Sequence, residues 1–359
     1  MLRESDILNR LLRGEIALPP LTVRTTEPRR GSKSADVLAK IAWIGQVFRF
    51  VVACRAASSP KAVRDAIGQL EQAKRPGVFP LLIVPWLATD QLRELETQEV
   101  SAIDLSGNGV VVVPGKLLVF RTGQPNAFPN SEPLKNVYRG DSSIVSRVFL
   151  LRPEYPTVNE ILAEIRRRNA TVAISTVSKV LKQLAEDLVV ERADGGIRLL
   201  QAERLMSQLA SAYRPPQIRG QLVGRCGVTE GELGRRMKAA VERRSLDCVL
   251  TGATSTTRYA VMAREPIVSL YCSMPPQSAA KQLGIAVEPD ARFPDIELVW
   301  TDDQTVYFDR RIEREGCYAS PVQVWLELVA GDKRQRDVAD QVKTLILESL
   351  QPQGEKRQA

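Results

Sequence analysis

The sequence predicts a mixed α/β, multidomain protein, and three observations carry that expectation. The chain has 359 residues, enough for two or three domains at about 150 residues each. Both ends alternate short apolar runs with helix-periodic stretches, the pattern of a sheet packed by helices. Between them lies the order helix, helix, helix, β-hairpin, which reads as a winged helix-turn-helix. The spacing divides the chain into an α/β domain with its linker over 1–138, the winged helix over 139–213, a second α/β domain over 214–350 and a polar tail over 351–359.

In the first domain, residues 1–13 read as an amphipathic surface helix. Apolar runs at 47–54, 78–84, 110–113 and 117–121 read as strands, and 60–74 and 89–97 as helices. The segment DLSGN at 104–108 reads as a tight turn, with Gly107 and Asn108 expected at positive φ. Residues 122–138 concentrate Pro, Asn, Gly and Ser without periodicity, the composition of a linker.

In the middle segment, Ile144, Val145, Val148, Phe149 and Leu151 repeat at helical spacing. Thr157 and Glu160 form an expected capping box ahead of Ile161, Leu162 and Ile165. A break at 169–171 precedes a third helix, with Ser175 as its expected N-cap and Val177, Val180, Leu181 and Leu184 facing inward. Residues 193–196 turn between two strands. A helix at 201–212 follows, and the last domain reads as helices at 230–243, 321–329 and 334–350, with strands at 248–250, 267–272, 296–300 and 305–308.

Composition narrows the chemistry. Fifty Lys and Arg against 42 Asp and Glu give a formal charge of +8, which favours a polyanionic partner. There is no histidine, so Ser-His-Asp and Cys-His catalysis and every His-ligated metal site are excluded. The five cysteines are scattered without a C-x-x-C pair, and their apolar settings suit small buried residues in a reducing cytoplasm. No apolar run is long enough to span a bilayer. Neither G-x-x-x-x-G-K-[ST] nor G-x-G-x-x-G occurs, which disfavours an ATPase or dinucleotide enzyme, and no cofactor is expected. Leu250–Thr254 reads as a strand-to-helix connection rather than a phosphate cradle, because no Lys or Ser pattern accompanies its glycine.

A helix-turn-helix reads DNA by setting the start of its second helix in the major groove. Ser175, Thr176, Ser178, Lys179 and Lys182 occupy that position and are the expected base and phosphate contacts. Arg166, Arg167 and Arg168 end the preceding helix, where cations suit the carbonyl end of the dipole and can clamp phosphates. Arg192 and Arg198 bracket the wing. One such helix covers too few base pairs for a genome-wide search, so a homodimer on double-stranded DNA is expected. The competing interpretation is a protein-interaction adaptor whose cations are merely solvated.

The runs RGDSSIVSRVFLLRPEYPTVNEILAEIRRR, ISTVSKVLKQLAEDLVVER, RLMSQLASAYRPP and SPVQVWLELVAGDKRQRDVADQV make residues 139–350 resemble bacterial transcriptional regulators grouped with the antitoxins of type IV abortive-infection systems. The resemblance implies a cytoplasmic, nucleoid-associated autoregulator whose C-terminal domain counters a nucleotidyltransferase-like toxin. Those antitoxins usually begin at their winged helix, whereas this chain carries some 138 residues ahead of it. Along SADVLAKIAWIGQVFRFVVACRAASSPKAVRDAIGQL, that N-terminal part resembles a restriction-endonuclease-like fold. The likeness implies Asp36 as the first metal-binding acid, but the Glu position falls on Ala53 and the Lys position on Arg55. Alanine cannot ligate a metal, and arginine stays protonated, leaving Arg55 only a possible phosphate contact. A degenerate, non-enzymatic domain follows, with a Mg²⁺-dependent nuclease using Asp36 and Asp65 or Asp104 as the alternative.

Overall fold

A computed structural model describes residues 2–25, 37–73, 75–128, 137–193, 195–262, 266–289 and 291–351. Asp36, Asp194 in the expected wing turn, residues 129–136 of the expected linker and the tail beyond 351 lie outside the described residues. The architecture is mixed α/β, in two compact units: Met1–Lys135 with Glu186–Leu188, and Asn136–Ala185 with Val189–Ala359.

The first unit runs α1 (Glu4–Leu12), β1 (Thr22–Thr25), β2 (Val37–Trp43), β3 (Gln46–Cys54), α2 (Pro60–Gln72), β4 (Val78–Val84), α3 (Thr89–Thr97), β5 (Ser101–Asp104), β6 (Gly109–Val113) and β7 (Leu117–Arg121). Its seven strands lie side by side in chain order. The pairs β3–β4 and β4–β5 are parallel, each joined through a helix, and the other pairs are antiparallel. Strand β4 is apolar throughout because both faces are covered. Leu82 and Val84 pack with α2 and α3, while Leu81 and Ile83 pack with Ile7 and Leu11 of α1. Helix α2 starts where the chemistry asks: Ser59 accepts from the Ala62 amide and Pro60 takes the first helical position.

The turn after β5 is built by Asp104, which is 1% exposed. One carboxylate oxygen accepts from the Ser106 and Asn108 amides, the other from the Leu87 amide and the Asn108 side chain. Gly107 has φ +94°, as expected, but Asn108 does not adopt a positive φ. Its buried side chain works instead by hydrogen bonding.

The second unit continues with α4 (Asp141–Val148), β8 (Glu154–Tyr155), α5 (Val158–Arg167), α6 (Ile174–Glu186), β9 (Val190–Ala193), β10 (Gly196–Leu199) and α7 (Ala202–Ala212). The strands form a small antiparallel sheet in the order β8-β10-β9. Then come β11 (Gly220–Arg225), α8 (Glu230–Glu242), β12 (Cys248–Leu250), α9 (Gly252–Thr256), β13 (Val268–Cys272), α10 (Pro276–Leu283), β14 (Glu288–Pro289), β15 (Ile296–Trp300), α11 (Gln304–Tyr307), β16 (Arg311–Ile312), β17 (Cys317–Tyr318), α12 (Pro321–Ala330) and α13 (Lys333–Ser349). A second seven-stranded sheet orders them β14-β11-β15-β13-β12-β17-β16. Cys248 and Cys272 face one another across β12 and β13 as free, buried thiols.

Three expectations are corrected. Residues 305–308 are not a strand: Asp303 accepts from the amide and hydroxyl of Thr305 and caps α11. Ser175 is not an N-cap, since α6 already begins at Ile174. The capping box at α5 is half-formed: Thr157 accepts from the Glu160 amide, but the Glu160 carboxylate turns to Arg152, 3.7 Å away.

Candidate nucleic-acid interface

Helix α5 ends because Asn169 takes φ +65°, a left-handed position that Asn tolerates. The Asn169 amide reaches the Arg166 carbonyl at 3.2 Å and the Ala170 amide reaches the Ile165 carbonyl at 3.2 Å, the paired bonds of a Schellman termination. The chain then turns and enters α6, whose buried stripe is Val177, Val180, Leu181 and Leu184. The opposite arc carries Ile174, Ser175, Ser178, Lys179 and Lys182, all exposed, with Thr176 half-buried on its flank.

The turn is held from the C-terminal part of the same unit. The Thr171 amide donates to Gln304 Oε1 at 2.9 Å, and Gln304 Nε2 donates back to the Thr171 carbonyl at 3.1 Å. The Asp309 amide donates to the Arg168 carbonyl at 2.9 Å, and Arg168 forms an ion pair with the Asp309 carboxylate. Further along the same segment, the buried Arg147 of α4 donates to the Thr305 carbonyl at 3.1 Å.

These contacts sort the expected cations. Arg168 lies between two carboxylates, 2.8 Å from Glu164 and paired with Asp309, so it holds the fold and is withdrawn from the phosphate-clamping set. Arg167 pairs with Glu164. Arg198 pairs with Glu191 at 2.9 Å across β9 and β10. Among the described residues, Arg166, Lys179, Lys182 and Arg192 have no ion pair, and each is exposed. Four unneutralised cations therefore sit on and around α6 and the hairpin. A groove of about 580 Å³ runs beside the start of α6, floored by Leu162 and Val172 and edged by Asn159, Arg166 and Ile174.

Arg55, expected as a possible phosphate contact, is committed elsewhere. Its side chain is 13% exposed, donates to the Cys54 carbonyl at 2.7 Å and to Gln69, and lies 3.8 Å from Glu4. Ala53 is buried among apolar side chains of α2 and the sheet. Sequence reasoning missed Gln304 and Asp309, because nothing local announces groups that hold a turn more than 130 residues away.

Among the described residues, no group of three or more His, Cys, Asp or Glu is arranged to hold a metal ion, and no helix is long and apolar enough to cross a membrane. Comparison with protein-family models, curated proteins and solved structures found no match for the chain.

Proposed function

We propose that the protein is a non-enzymatic transcriptional regulator whose middle module, a winged helix, binds double-stranded DNA through α6. The observation that carries this reading is the exposed arc of α6, where Lys179 and Lys182 have no ion pair among the described residues and stand beside Ser175 and Ser178, while Glu164, Asp309 and Glu191 are paired with Arg167, Arg168 and Arg198. Free amines suit phosphates and short hydroxyls suit base edges. Arg166 and Arg192, likewise without an ion pair among the described residues, extend the footprint to the end of α5 and to the wing. The protein acts as a homodimer on paired half-sites, in the cytoplasm and on the nucleoid when bound. The family resemblance adds autoregulation and a nucleotidyltransferase-like toxin as the partner of the C-terminal domain.

The N-terminal unit fits a degenerate restriction-endonuclease-like domain. A helix and a three-strand meander lead through α2 into a parallel fourth strand. Ala53, next to the Val52 that pairs with Val37, offers no metal ligand.

Lys179 and Lys182 replaced together by Ala should weaken binding to every duplex. The slope of log affinity against log salt should fall by about two, one per lost phosphate contact. Titration of labelled duplex at several salt concentrations measures both. An unchanged affinity and slope would remove α6 as the DNA-binding element.

A further inference from the structure

Ile174 stands out on α6. It is the first residue of the helix, lies outside the buried stripe and is 56% exposed. Its neighbours on the same arc are hydroxyls and amines. On its other side lies the groove floored by Leu162 and Val172, with Arg166 at the edge. A β-branched apolar side chain in the middle of a cationic surface is a recognition element of mixed character: it asks for a partner that is anionic overall and apolar at one spot.

Duplex DNA supplies that combination in one place. The edges of the base pairs in the major groove carry donors and acceptors, and the C5 methyl of thymine is the apolar group among them. The charge around Ile174 favours the same partner: Arg166, Lys179 and Lys182 form no ion pair among the described residues, and although Asp247 and Asp302 line a groove with Arg166 they pair with Arg310 and Arg219, so an anionic partner would neutralise the three cations. We propose that Ile174 reads a thymine methyl, making an A·T pair the preferred base pair under the start of α6; the proposal rests on the DNA-binding role of α6. Ser175 and Ser178 sit beside it with hydroxyls for adjacent base edges, and Lys179 and Lys182 hold the backbone.

The test isolates the methyl group. Duplexes are selected by the full-length protein from a random-sequence library, and each thymine of the recovered site is replaced in turn by deoxyuridine, which differs only by lacking that methyl. Wild-type protein should lose affinity about four-fold at one or two positions, the size of one buried methyl group. Ile174→Ala, an exposed substitution that leaves the buried stripe intact, should bind the thymine site about as weakly as wild type binds the uracil site, and should be indifferent to the exchange.

If wild type tolerates deoxyuridine everywhere, or if Ile174→Ala still distinguishes the two bases, the proposal is wrong; salt-dependent duplex binding by both proteins then leaves the DNA-binding role standing. If neither protein binds any duplex, that role fails and takes the proposal with it.

Discussion

Arg147 carries its charge into the interior of the second unit, where no carboxylate among the described residues pairs with it directly. It is 3% exposed and donates to the Thr305 carbonyl at 3.1 Å and to Gln323 Oε1 at 2.8 Å. Gln323 passes the polarity on, its Nε2 donating to Glu327 Oε1 at 2.8 Å, while Thr251 Oγ1 donates to the other Glu327 oxygen at 2.6 Å. An amide thus bridges a buried cation and an acid, while the buried Arg147 Nε finds no hydrogen-bond partner among the described residues. Burial pushes the Glu327 carboxyl above its ordinary value, although the bonds from Thr251 and Gln323 pull it back. The unfolded chain therefore releases this proton first as pH rises. Above the ordinary carboxylate value of about 4.3, the native state binds more protons than the unfolded state, so the Glu327 contribution to stability declines until the raised native value is passed. Thermal melts of wild type and Glu327→Gln from about pH 4 to about pH 8 should show wild type losing stability relative to the variant as pH rises. A difference of the opposite sign would mean that the folded protein holds Glu327 ionised.

At the scale of elements, the helices and strands between residues 141 and 199 were largely legible and their supports were not. The α5 and α6 stripes are periodic, local and strongly apolar, so their spacing in the sequence reports the buried faces directly. Strand β11 was missed because QLV between two glycines is too short for alternation to register, and α11 was read as a strand because TVYF has β-branched and aromatic residues. The Asp303 cap overrides that propensity, and tertiary packing then buries Val306 and Tyr307. The helix α11 begins with Gln304, whose amide pairs with both backbone groups of Thr171. Removing that amide frees the turn ahead of α6 without touching the exposed arc proposed to face DNA. Gln304→Ala should reduce affinity for a selected duplex several-fold while leaving the salt slope unchanged, because no phosphate contact is lost. A fall in melting temperature with unaltered duplex affinity would assign Gln304 to stability alone.

Across the whole molecule, the expectation of a mixed α/β protein holds, and the first unit shows what composition cannot reveal about chemistry. Asp104 was a candidate metal ligand in the nuclease alternative, yet both its oxygens accept hydrogen bonds from the turn and the Leu87 amide. Asp65 lies exposed on α2. Only coordinates reveal that an acid is spent on its own loop. Supercoiled plasmid incubated with the protein and Mg²⁺ should stay intact; cleavage that disappears in Asp36→Ala would restore the nuclease.

The two seven-stranded sheets also differ in when their strands can meet. In the first, every strand hydrogen-bonds to the one translated just before it, so the sheet can grow as the chain leaves the ribosome, each new segment finding its template already laid down. In the second, β11 must wait for β14 and β15, and β12 gains its outer neighbour only when β17 has been made. The N-terminal unit is therefore built to assemble during synthesis, whereas the C-terminal sheet closes only after nearly all of the chain exists.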